Sequence, residues 1–73
     1  MRLELRLMNK IKEVLMDQGR SQKWFAEKMG KTENTISLWV LNKVQPSLND
    51  LYKAAEFLGV SVHELLTDIK KNN

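Results

Sequence analysis

The sequence predicts an all-α fold, and three observations carry that prediction. Apolar residues recur at helical rather than alternating spacing over most of the 73-residue chain. Gly19, Gly30 and Gly59 punctuate it at helix ends, where a left-handed residue is needed. Ser21, Thr32, Ser47 and Ser61 stand where hydroxyl N-caps would open the helices that follow.

Taken in order, Ile11, Val14 and Leu15 form a stripe that ends at Gly19. Ser21 opens a second helix, which Gly30 closes. The third spans about residues 32–41. Asn42 follows it, and asparagine is the best-suited residue after glycine for a left-handed helix end. Pro46 and Ser47 start a fourth helix, whose buried face is read as Leu48, Leu51, Ala55 and Leu58. Gly59 ends it. Ser61 and Glu64 have capping-box spacing and open a last helix carrying Leu65 and Leu66 inward. Residues 70–73 read as a polar tail.

The N-terminus departs from this pattern. Leu3, Leu5 and Leu7 alternate with Arg2, Glu4 and Arg6, a period of two that fits a half-buried strand. With no second strand legible elsewhere, such a strand would pair with the same segment of another subunit. Residues 1–7 are accordingly read as an extended arm, with an extension of the first helix as the alternative, and residues 8–69 as the single domain.

Residues 22–39, QKWFAEKMGKTENTISLW, hold the most information. Two short helical patterns meet at Gly30, with small Ala26 and apolar Ile36 where crossing helices must touch. Phe25 and Met29, and then Ile36 and Trp39, give each helix one apolar stripe for a shared core. That layout is a helix-turn-helix, and its expected role is sequence-specific binding to double-stranded DNA.

Beyond this motif the chain resembles the phage repressor and Cro-type (XRE-like) helix-turn-helix domains of bacterial regulators and antitoxins. The matching blocks are IKEVLMDQG, SQKWFAEKMG, TENTISLW, NKVQPSL and LGVSVHELL, in that order, from about Met8 to Leu66. The resemblance implies a compact five-helix, lambda-repressor-like bundle that binds a two-fold symmetric site as a homodimer. It implies that the third helix reads the major groove with Glu33, Asn34, Thr35 and Leu38. It places backbone phosphates against Gln22, Lys23, Thr32, Ser37, Asn42, Lys43 and Gln45. Side-chain chemistry fits those roles: Asn34 can bond adenine in bidentate fashion, Glu33 can accept from cytosine N4, and Thr35 and Leu38 can press on thymine methyls. No arginine or lysine lies between Glu33 and Leu41, so the commonest guanine contact is missing and an A·T lean is expected.

Several positions depart from the family pattern. Where members often pair an arginine in the first helix with a glutamate late in the third, this chain has Leu15 and Val40, an apolar exchange that is often neutral or stabilising. Lys31 stands at a usually apolar turn position and Leu41 at a usually polar one. Trp24 replaces a polar residue, and its indole is expected to pack against a neighbouring helix rather than donate to a phosphate. Leu38, Val40 and Leu41 make the third helix unusually apolar. The rival reading is therefore a protein-interaction module or antitoxin of the same fold, with Leu38 and Leu41 facing a partner.

Charge and composition agree with the first reading. Net charge is +3, yet residues 19–46 hold five cations against two carboxylates while residues 47–69 hold one against four, an asymmetry that would orient the chain on a polyanion. With no cysteine, neither disulfides nor thiolate metal sites are available. The one histidine, His63, has no second histidine or cysteine to work with, so catalysis, a metal and a cofactor are not expected, nor is a small-molecule substrate. No apolar run approaches a bilayer span and no secretory signal core is evident, so a cytoplasmic transcription regulator, repressor or activator, is anticipated. A domain this small buries only roughly 60% of the surface its unfolded chain exposes, which favours pairing. Phe57, Val62, Ile69 and the N-terminal leucines are the candidate dimer surface.

Overall fold

The computed structural model describes residues 6–69. Its order is β1 (Arg6–Asn9), α1 (Ile11–Gln18), α2 (Gln22–Met29), α3 (Glu33–Val40), α4 (Leu48–Leu58), α5 (Val62–Leu65) and β2 (Leu66–Ile69). Five helices enclose one core, and a two-stranded ribbon joins the two ends of the described chain.

The helix boundaries follow from side-chain chemistry at each end. Ser21, Thr32, Ser47 and Ser61 each have an extended backbone and accept, through the hydroxyl, the N–H three residues on, at 3.0–3.2 Å. Each satisfies one of the N–H groups that a helix start leaves free. At the other ends Gly19, Gly30 and Gly59 have φ of 66–70°. Asn42 at φ 59° does the same after α3, with its N–H bonded to the Trp39 carbonyl and that of Lys43 to the Leu38 carbonyl. Those two bonds form a Schellman motif, which asparagine sustains where the family has glycine.

The core gathers Ile11 and Leu15 from α1, Phe25, Ala26 and Met29 from α2, Ile36, Trp39 and Val40 from α3, Leu51, Ala54, Ala55 and Leu58 from α4, and Leu65 from α5. Leu15 and Val40 are both buried in it, as an apolar pair at those two places requires. Leu48 does not join them. It is the first residue of α4 and is 63% exposed, whereas Ala54, one turn from Leu51 and Leu58 and absent from the periodicity reading, is wholly buried.

The chain ends correct two further expectations. α5 is a single turn, and the backbone at Leu66 turns extended at φ −116° and ψ 148°. Leu66 therefore begins a strand rather than continuing the helix. This strand supplies the partner that the N-terminal segment was thought to lack: β1 pairs with β2 antiparallel within one chain, with Arg6 opposite Ile69 and Asn9 opposite Leu66. A same-subunit partner satisfies the backbone of β1 without a second copy. The rest of the proposed arm, residues 1–5, and the tail, residues 70–73, lie outside the described residues.

Candidate nucleic-acid interface

α2 ends at Met29 and α3 begins at Glu33, leaving Gly30, Lys31 and Thr32 as the turn. Three residues suffice because Gly30 reverses the chain in the left-handed region and Lys31 N–H bonds the Ala26 carbonyl at 2.9 Å. Ala26 and Ile36 are both buried, which lets the two helices approach closely. Lys31, the residue out of pattern in this turn, reaches Asp50 on α4 at 3.6 Å, a partly exposed pair of small energetic weight.

The 3.6-residue period of α3 divides its side chains. Ile36, at 0% exposure, with Trp39 and Val40, faces the core. Glu33 and Asn34 are exposed, and Thr35, Ser37 and Leu38 are half-buried. The proposed base-reading residues thus lie off the packed face. Leu41, just past the helix, is 56% exposed and extends the apolar part of the free side begun by Leu38.

The residues expected to meet phosphates fall into two groups. Gln22, Lys23 and Lys43 are exposed and Ser37 is half-buried, with no described side-chain hydrogen bond to occupy them. The others are already engaged within the chain. The Thr32 hydroxyl accepts Thr35 N–H and donates to Thr35 Oγ1 at 3.1 Å. Asn42 Oδ1 accepts Asn9 N–H at 2.8 Å and Gln45 Nε2–H at 2.9 Å, while Asn42 Nδ2 donates to the Asn9 carbonyl at 3.2 Å.

Asn9 is the residue that sequence reasoning missed. It is only 3% exposed, and its Nδ2 donates to the Trp39 carbonyl at 2.9 Å and to Gln45 Oε1 at 2.8 Å. Its Oδ1 accepts Ile11 N–H at 3.0 Å, which starts α1 where Lys10 offers no side-chain cap. One side chain therefore ties the ribbon, α1, the end of α3 and the loop after it. Trp24 is half-buried against the core, as expected, and Arg20 lies over its ring with the guanidinium carbon 4.1 Å from the centroid.

This arrangement of α2, turn and α3 matches a helix-turn-helix family model over residues 11–65. The chain belongs to the repressor and Cro-type helix-turn-helix family. An uncharacterized HTH-type transcriptional regulator of Haemophilus influenzae is 40% identical over 55 residues, which are 75% of this chain and 23% of that protein. The chain thus spans less than a quarter of the length of this curated relative. Among solved structures, a candidate DNA-binding protein from Bacteroides fragilis is 50% identical and superposes with a TM-score of 0.83 over 85% of this chain and all of its own. Among the described residues no helix is long and apolar enough to cross a membrane, and no three His, Cys, Asp or Glu side chains group as a metal site.

Proposed function

We propose that this chain is a sequence-specific DNA-binding transcription regulator whose α3 enters the major groove, acting in the cytoplasm as a homodimer on a two-fold symmetric site. The observation that carries this reading is the division of α3: Ile36 wholly buried, with Asn34 and Glu33 free on the other side. The family membership and the DNA-binding description of the Bacteroides fragilis protein support it. Residues 8–69 form the reading unit. Glu33, Asn34, Thr35 and Leu38 contact base edges, and Gln22, Lys23, Ser37 and Lys43 contact phosphates. Thr32, Asn42 and Gln45 serve the same contact indirectly: Thr32 fixes the start of α3, and the two amides brace the loop that presents Lys43.

Selection from a random duplex library tests this at one stroke. Enrichment of an A·T-leaning motif in two inverted half-sites is the expected result, with binding that weakens steeply as salt rises. No retention of duplex even at low salt would sink the reading. On the selected site, Asn34→Ala is expected to raise Kd by roughly five- to 150-fold, the equivalent of about 1–3 kcal/mol, and to relax the preference at one base pair, with thermal stability unchanged. A uniform loss across all sequences would instead assign Asn34 to a backbone contact.

The apolar edge formed by Leu38 and Leu41 supports a second reading, a protein-interaction module of the same fold. Under it, Leu41→Ser abolishes partner binding while duplex binding is absent from the start. For the homodimer, Phe57 at 42% exposure and half-buried Val62 remain the candidate contacts, while the Ile69 side chain and the leucines of residues 1–7 lie outside the described side chains.

A further inference from the structure

A small concavity opens beside the start of α2, about 240 Å³ in volume and lined by Lys12, Leu15, Met16, Arg20, Gln22 and Val40. Its floor is the Leu15 and Val40 pair that stands where the family often has an ion pair. Its rim is basic. Among the described residues no carboxylate pairs with Lys12 or Arg20, the ion pair present being Lys31 with Asp50. The floor is apolar, and two cations stand at its mouth.

Arg20 is held there by two independent devices. Its backbone lies between the left-handed Gly19 and the cap residue Ser21, with its N–H bonded to the Leu15 carbonyl at 2.9 Å. Its guanidinium rests over Trp24 at 4.1 Å, on the second residue type that departs from the family pattern. The manner of holding matters. A guanidinium held by a carboxylate spends its in-plane N–H donors on that partner, whereas one held over an aromatic face keeps all of them at its edge. Lys28 Nζ lies 5.9 Å from the same ring centroid, which adds to the positive potential there. Ordered donors, unspent and unneutralised, around a concavity fit a phosphate oxyanion.

From this we infer that Arg20, positioned by Trp24, and Lys12 form a seat for a DNA backbone phosphate next to Gln22. The inference rests on the DNA-binding reading above and adds two contacts and a positioning residue to it. Arg20 touches the phosphate. Trp24 acts through Arg20.

Fluorescence anisotropy of a labelled mixed-sequence duplex across a salt series tests it, with thermal unfolding as the control for folding. Arg20→Gln is expected to raise Kd about tenfold at moderate salt and to flatten the log–log salt slope by about 0.9, the loss of one phosphate contact. Lys12→Gln shifts both in the same direction. Lys53→Gln removes the same charge from α4, outside the concavity, and leaves slope and affinity near wild type. Trp24→Leu keeps the net charge and the slope but raises Kd about threefold, and Trp24→Phe, which restores a ring face, recovers most of it. Arg20→Gln indistinguishable from Lys53→Gln, in a protein that binds duplex, overturns the seat alone. A wild-type protein that binds no duplex at all overturns the DNA-binding reading itself.

Discussion

Phe25→Ala is expected to remove about 3–5 kcal/mol of unfolding free energy, measured as a lower denaturant midpoint at unchanged m value. The ring is 0% exposed and belongs to the core cluster to which all five helices contribute. Truncation leaves a cavity in a core whose other members, among them wholly buried Ile11 and Ile36, cannot fill it without backbone movement. At roughly 0.05–0.15 kcal/mol per residue, a domain of this size holds only about 4–11 kcal/mol in total, so the loss removes a large share of its stability. Phe57→Ala gives the contrast, because that ring is already 42% exposed: in a monomer it costs under about 1 kcal/mol. A larger Phe57 effect that shrinks on protein dilution would place this ring in a dimer interface. A loss below about 1 kcal/mol for Phe25→Ala would contradict the burial on which the crossing of α2 and α3 depends.

What the sequence makes legible here is what depends on neighbours within a few residues. Ser21, Thr32, Ser47 and Ser61 cap helices through bonds to the N–H three positions on, and the glycines and Asn42 end them through bonds that close within six residues. Both patterns can be read without knowing the tertiary structure. The free side of α3 follows from the same local period, which is why Glu33, Asn34 and Ile36 stand where the pattern puts them. Leu48 shows the limit of that method. An apolar residue in the first turn satisfies the spacing, but among the described residues nothing covers it at the start of α4.

The chain ends were misread for a physical reason. Leu65 and Leu66 continue an apolar helical pattern, and only the distant segment Arg6–Asn9 provides the backbone partner that makes an extended Leu66 the better state. Strand pairing across more than fifty residues leaves no periodic trace in either segment. Asn9 escaped notice in the same way. A polar residue between Met8 and Lys10 looks like surface, and the groups that justify burying it lie 30 to 36 positions away. In the candidate interface, exposure was readable but engagement was not: Thr32, Asn42 and Gln45 have the right chemistry for phosphates and also bond within the fold.

Asn9 is consequently the polar residue whose loss should cost most. Asn9→Ala strips the Trp39 carbonyl, Gln45 Oε1 and Ile11 N–H of a partner at once, while the two backbone bonds from Asn9 to the Asn42 amide survive. A buried group left unpaired costs about 1–3 kcal/mol, and water reaching the exposed Gln45 offsets part of the total, so a loss of about 2–4 kcal/mol is expected. Asn42→Gly separates conformation from bonding, because glycine holds φ 59° without strain but offers no amide. Its expected cost is nearer 1 kcal/mol. If the brace acts as one unit, the double variant loses less than the sum of the two singles, with a coupling of about 0.5–3 kcal/mol in a thermodynamic cycle. Duplex affinity should fall with Asn9→Ala even at temperatures where the protein stays folded, since the loop carrying Lys43 loses its side-chain ties at Trp39 and Gln45 and keeps only the Asn42 bonds to the ribbon. Strict additivity, or affinity untouched in the folded variant, would reduce Asn9 to a helix-starting residue and detach the ribbon from α3.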